Sequence, residues 1–215
     1  MTIYEAMLER HSVRSYKDMA IEKEKIDELN QFIAKCNAEG NLHIQLVEDA
    51  GNTFNRLINK VAGLGSAPSV IACIGKDDDT LFERIGYYGQ QIVIRAQQLG
   101  LNTCWAGTFN KKNVSAVVEE GESLPIVIAI GYGVNNGKPR RSKSVADVIE
   151  GNEEDMPQWF IDGVKMALYA PTAINQQKFS FLLKDDGYEV IDKGGILSKI
   201  DKGIVKYHFE IGAGK

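Results

Sequence analysis

Apolar residues along the chain recur at two spacings, near 3.6 and near 2, in blocks separated by glycine, proline and charged clusters. Residues 2–9 place Ile3, Ala6 and Met7 on one stripe and predict a short amphipathic helix. A second helix is predicted from about Ile21 to Cys36: Ile26, Leu29, Phe32 and Ile33 recur at helical spacing, and Glu22 and Glu24 suit its positive N-terminal end. Leu42, Ile44 and Leu46 alternate with His43 and Gln45, the pattern of a half-buried strand. Phe54, Leu57, Ile58 and Val61 predict a helix that stops at Gly63-Leu64-Gly65. The apolar runs 69–75 and 125–131, bounded by glycine and proline, read as central strands. Between them lie a long helix, about Leu81 to Leu99, with Ile85, Ile92, Ala96 and Leu99 inward, a strand or turn over Leu101–Gly107, and a helix near Val114–Val118.

The C-terminal stretch echoes the first half. A helix from Pro157 to Leu168 leads into a strand, Phe179–Leu183, as the Ile21 helix leads into the Leu42 strand, and Asp186-Gly187 marks a hairpin turn. Ile200-Asp201-Lys202-Gly203 then opens a helix, as Ile85-Gly86-Tyr87-Tyr88-Gly89 does earlier. The chain therefore reads as one long unit (1–150), a linker (151–155) and a truncated copy (156–215), with chance similarity of two helix–strand–helix stretches as the plainer alternative. Segregated helices and mixed strands make the class α+β rather than strictly alternating α/β.

Composition narrows the function. A formal net charge of −4 argues against a nucleic-acid partner. The longest apolar runs are too short to span a bilayer, so no membrane partner is expected. The start MTIYEAMLERHS carries early charges and no apolar core, so no secretory leader is expected. Cys36, Cys73 and Cys104 are odd in number and lack a CxxC pair, which points to a reducing cytoplasm rather than a disulfide scaffold.

Three polar clusters could carry chemistry. Arg10, His11, Ser12 and Arg14 make a donor-rich corner suited to phosphate or another planar anion, because arginine presents fixed forks; equally, they could be cations at a helix end. Lys138-Pro139-Arg140-Arg141-Ser142-Lys143 is a basic loop in an acidic chain, which by itself is often just solvated. Ala170-Pro171-Thr172-Ala173-Ile174-Asn175-Gln176-Gln177 offers hydroxyl and amide groups that can read the edges of a heterocycle, or is simply a helix exit at proline. No HExxH, GxSxG or Walker A motif is present, and the histidines are too scattered for a metal site. Cys104 with His11 could form a nucleophile pair, but the apolar LNTCWAG setting favours a structural thiol.

Together these loops resemble the FMN-dependent nitroreductase family. Its opening signature, R-[RH]-S-x-[RK]-x-[FY], reads Arg10-His11-Ser12-Val13-Arg14-Ser15-Tyr16 here. Its A-P-S-x-x-N-x-Q-P-W signature resembles Ala170 to Phe179, and its late K-x-R resembles Lys138-Pro139-Arg140. The resemblance implies a mixed or antiparallel sheet flanked by helices, and a bound FMN reduced by NADH or NADPH that passes electrons to a nitroaromatic, quinone or similar small acceptor. It assigns Arg10, His11, Ser12, Lys138 and Arg140 to the phosphate and ribityl chain, and Arg14 to flavin N1 and the C2 carbonyl, where a cation favours the reduced ring. It assigns Trp105, Ala106, Gly107 and Thr108 to flavin N5 through the main chain, Gly63 to the pyrimidine side, and Pro171, Thr172, Asn175 and Gln177 to the second flavin loop. No side chain is implied as an acid or base.

The order of signatures departs from the family. The A-P-S-x-x-N type loop follows the K-x-R loop instead of preceding the first strand, with Thr172 and Lys178 in place of the usual serine and proline. This order implies a covalent pseudo-dimer with one complete FMN site, either monomeric or pairing further as a homodimer. Alternatives are a flavin-binding protein without NAD(P)H turnover, a specialised relative acting in flavin fragmentation, dehalogenation or azoline oxidation, and a module for another phosphorylated ligand.

Overall fold

The computed structural model describes residues 1–54 and 67–215. The helix predicted through Leu57, Ile58 and Val61, and Gly63 with it, lie outside the described residues. Strands β1 (Gln45–Val47), β2 (Ser69–Lys76), β3 (Asn102–Ala106) and β4 (Glu122–Gly131) form an antiparallel sheet in the order β1-β2-β4-β3. The two runs expected to be central are β2 and β4. Val70, Ala72 and Ile74 with Val127 and Ala129 share one face, packed with Val13, Tyr16, Phe54 and Cys104. Ile71, Cys73, Ile126, Ile128 and Ile130 alternate with them and are equally buried. Burial on both faces is why these strands read as unbroken apolar runs. Register shifts between Cys73 and Gly75, opposite Leu124-Pro125, where proline brings no N–H to the ladder.

Five α-helices accompany the strands among the described residues: α1 (Ile3–Glu9), α2 (Lys23–Gly40), α3 (Leu81–Gln98), α4 (Gln158–Ala167) and α5 (Ser198–Gly212). Helix α1 opens with a reciprocal Thr2–Glu5 capping box and buries Ala6 and Met7. Ile3, expected on the same stripe, is 41% exposed. Helix α2 runs a turn beyond the predicted Cys36 and stops where Asn41 turns left-handed, φ 48°. The predicted strand 42–46 is shorter because Asn37 claims the Ile44 main chain: its amide donates to Ile44 O at 2.9 Å and accepts from Ile44 N at 2.8 Å. The helix predicted near Val114–Val118 is not formed. Helical hydrogen bonding there is a 3₁₀ turn at Lys111–Asn113, and Gln45 holds Val117 by its main chain, donating to Val117 O (2.6 Å) and accepting from Val117 N (3.0 Å).

The described chain divides into two units, Met1–Leu81 with Gln91–Pro139, and Phe82–Gln90 with Arg140–Lys215. Residues 151–155, expected to be a linker, hold the 3₁₀ turn Glu153–Asp155 within the second unit, closed by the Asp155 N–H on Asn152 O. A hairpin of β5 (Phe179–Lys184) and β6 (Gly187–Asp192) belongs to this unit, its two-residue loop Asp185-Asp186 lying one residue before the predicted turn. Phe160, Phe181 and Phe209 are fully buried, with Phe181 stacked on Phe209 at 4.7 Å between ring centroids. In the same unit the 82–90 part of α3 crosses α5 at two glycines. A Cβ at Gly86 would collide with the Ile200 carbonyl, and one at Gly203 with the Glu83 carbonyl. No helix among the described residues is long and apolar enough to cross a membrane.

Candidate functional site

In the first unit the cationic corner is fixed by main-chain hydrogen bonds. Arg10 caps the end of α1, its N–H on Ala6 O at 3.0 Å, and its side chain is buried at 6% exposure. Ser12 bridges to Thr103 on β3, and Val13 N donates to Thr103 O at 3.0 Å. Val13 and Tyr16 point into the core, and the Tyr16 hydroxyl donates to Val13 O (2.8 Å). Between these two inward residues Arg14 and Ser15 are exposed, and His11 and Ser12 are half-buried. Lys17 N donates to Tyr132 O and Val134 N to Ser15 O, so the segment is held from the β4 side as well. Gly137, at φ +78°, lies against the corner, where a Cβ would stand 2.7 Å from His11 Cβ. Exposed Lys138 follows it directly.

Strand β3 links this corner to the predicted N5-facing stretch. Trp105 is half-buried, the Ala106 side chain joins the core, and Gly107 and Thr108 emerge exposed beyond the strand end. Burial pushes the Cys104 thiol up, against the pull of the Arg14 and Arg10 guanidinium groups and of Ser12. That thiol stays protonated and structural.

In the second unit the basic loop and the amide loop are laced to each other. Arg140 donates to Leu168 O at 2.8 Å and also to Ala170 O, satisfying carbonyls just past the end of α4. Burial pushes its guanidinium down while Asp201 draws it up. Lys143 N donates to Gln177 Oε1 (3.0 Å) and Lys143 Nζ to Gln177 O (2.8 Å). Asn175 Nδ2 donates to Arg141 O (2.9 Å), and Gln177 Nε2 to Ser142 Oγ (3.2 Å). Thr172 Oγ1 accepts from Gln177 N (3.1 Å), and Pro171 is buried. Thus Arg140, Asn175 and Gln177, all predicted to touch a cofactor, are engaged with their own main chain. Ile174, Asn175 and Gln177 adopt positive φ of 47°, 56° and 44°. Below the loop Asp201 accepts from Ala173 N and Gln176 Nε2. The sequence marks Gln176 only as one amide of the loop and Asp201 only as a residue opening a helix, where an acid in the first turn reads as an ordinary dipole partner.

The donor set of the first unit fits a phosphate-bearing flavin. Exposed guanidinium and ammonium groups can meet an anion, Ser12 offers a hydroxyl, and exposed main chain at Gly107 and Thr108 can reach a ring edge.

A protein-family model described as "Putative TM nitroreductase" matches residues 2–213. No curated protein sequence matches the chain. Among solved structures, a "putative nitroreductase" from Thermotoga maritima MSB8 is similar with a TM-score of 0.72 and 22% identity, over 99% of this chain and 83% of that one. A nitroreductase family protein from Streptococcus pneumoniae TIGR4 gives 0.54 at 15% identity, over 70% of this chain and 100% of that one. A "Putative NADH dehydrogenase/NAD(P)H nitroreductase" from Bacteroides thetaiotaomicron VPI-5482 gives 0.52 at 19%, over 68% and 95%. At these identities the likeness is one of fold.

Proposed function

Since this chain belongs to the nitroreductase family whose model it matches over residues 2–213, we propose that it binds FMN and carries electrons from NADH or NADPH to a small acceptor, a nitroaromatic, quinone or similar compound. The observation that carries this reading is the strand-fixed corner, where Arg14 is exposed and Ser12 half-buried on a main chain that hydrogen bonds already hold. FMN, when bound, supplies the two-electron chemistry, and the protein supplies holding, orientation and charge. In this reading Ser12 and Lys138 take the phosphate and ribityl chain, with Arg10 and His11 shaping the corner behind them. Arg14 sets a positive charge where the reduced ring is negative. Gly107 and Thr108 offer main chain to the ring edge, and the 170–177 loop, through Thr172, is read as a further flavin contact.

Residues 156–215 are, in the same reading, a truncated copy of residues 1–150, with α5 as the counterpart of α3. The reciprocal crossing supports it: Gly86 abuts the carbonyl three residues before Gly203, and Gly203 abuts the carbonyl three residues before Gly86. Such exchange of equivalent contacts is what a two-fold axis produces. The three buried, unbridged thiols favour a reducing compartment such as the cytoplasm.

Absorption spectroscopy of the purified protein, followed by anaerobic titration with NADH and NADPH, tests the proposal. An oxidised-flavin spectrum that bleaches with either nucleotide and returns on adding a quinone supports it. A colourless protein that takes up no FMN overturns it. A yellow protein that neither nucleotide bleaches favours the second reading, flavin binding without NAD(P)H turnover.

A further inference from the structure

We infer that Asp201 is a positioning residue for the 170–177 loop, gripping it as a carboxylate and loosening it as the neutral acid. The inference rests on the reading that this loop meets FMN. Asp201 lies in the first turn of α5 and is 7% exposed. Its two oxygens accept from Ala173 N at 3.0 and 3.2 Å, and Oδ2 accepts from Gln176 Nε2 at 2.7 Å. Every hydrogen-bond partner named here is a donor. Protonation removes the negative charge that strengthens these bonds, and an O–H turned toward either N–H donor would displace it, so the grip weakens on protonation.

The loop above has reason to depend on that grip. Left-handed Ile174, Asn175 and Gln177 hold a main chain that persists only where its surroundings determine it. The Ala173–Asn175 turn begins at the N–H that Asp201 holds, and Gln176 follows it. Two charged groups face the carboxylate from other elements: Arg140 of the basic loop favours its charge, and Asp192 at the end of β6 opposes it. Burial outweighs the Gln176 and Ala173 hydrogen bonds and lifts Asp201 to about 6, so the grip changes close to neutral pH.

Amide hydrogen exchange of the cofactor-free protein tests the grip, and flavin fluorescence titration of FMN tests its consequence. From about pH 8 to about pH 5, protection factors at Ala173–Gln177 should fall roughly tenfold, the worth of one charge-assisted hydrogen bond, with a midpoint near Asp201's own. Asp201→Asn should show the lower protection throughout and no midpoint. Gln176→Ala keeps a carboxylate but removes one donor, so its midpoint should rise; it decides the matter if Asp201→Asn does not fold. FMN affinity should track protection. Protection that is flat with pH in the parent protein, a parent midpoint retained in Asp201→Asn, or an unmoved midpoint in Gln176→Ala overturns the grip. FMN affinity flat with pH while protection titrates overturns the positioning role. Failure of FMN to bind at any pH defeats the flavin reading, and exchange in the cofactor-free protein still decides the grip.

Discussion

The cationic corner of the first unit and, in the second, the amide loop with the basic segment 140–143 laced to it both present polar donors, yet they are held in opposite ways. The corner's main chain is held by main chain: Val13 to Thr103, Lys17 to Tyr132, Val134 to Ser15. Its charged side chains Arg14 and Lys138 stay exposed. The loop's main chain is strained and, beyond its own turn bonds Asn175 N to Thr172 O and Gln176 N to Ala173 O, is held by the side chains of Arg140, Lys143, Thr172 and Asp201. Where main chain holds main chain, polar side chains are left for a ligand. Where side chains do the holding, the same residue types are scaffold, and a motif does not distinguish the two.

The sharpest break in this contrast lies under the second unit, at the glycine crossing. Gly203→Ala should cost about 3 kcal/mol, because the added Cβ meets the Glu83 carbonyl and then Tyr87 N, neither a yielding side-chain tip. Urea unfolding measures it, and a loss well below 1 kcal/mol would mean that α3 and α5 can separate freely.

The next effect is a pH dependence. Asp201 is lifted from its usual 3.8 to about 6 by burial, so the fold favours its acid form. Its stabilising contribution is fully present below about pH 4 and is lost as pH rises through 6, amounting to about 3 kcal/mol. The stability of the parent relative to Asp201→Asn should therefore fall between pH 4 and pH 7, whereas loop protection should rise over that range. Glu122 and Glu150, held low in both proteins, cancel in the difference. A difference that grows with pH would contradict the burial of the carboxylate.

Paired arginine variants sharpen the contrast directly. Arg140→Ala removes a half-buried donor from the Leu168 and Ala170 carbonyls and should cost about 2 kcal/mol, whereas exposed Arg14→Ala should stay within about 0.5 kcal/mol of the parent. Arg14→Ala should instead weaken FMN binding and slow reduction. Equal melting losses in the two variants would erase the distinction between ligand cation and scaffold cation.

What the sequence disclosed follows the same line. The central strands were legible because burial on both faces leaves no polar alternation to misread, and α5 because its opening Ile200-Asp201-Lys202-Gly203 repeats the pattern of residues 85–89. Val114–Val118 misled because the exposed Val117 and Val118 mimic an apolar stripe, while Gln45, distant in sequence, holds the segment by its main chain. The shortened β1 likewise depends on one amide, Asn37, reaching back to Ile44. The site residues were legible as types. The inward turn of Arg140 and the grip of Asp201 were not, since each depends on a carbonyl or N–H supplied from elsewhere in the fold.

The smallest expected effect tests whether the loop's strain is retained for a purpose. Ile174 is 81% exposed, so its side chain contributes little burial, yet it sits at φ 47°, ψ 23°, a conformation β-branched residues avoid. Asparagine tolerates that region, so Ile174→Asn should stabilise the protein by about 1 kcal/mol, a rise of a few degrees in Tm. The comparison then turns on FMN. If the variant is more stable and binds FMN unchanged, the strain is incidental to a loop already fixed from below by Asp201. If it is more stable but binds FMN less tightly, the exposed isoleucine is itself part of the binding surface. A variant less stable than the parent would mean that Ile174 is held by packing its exposure does not reveal, and the contrast between a relaxed corner and a strained loop would lose its basis.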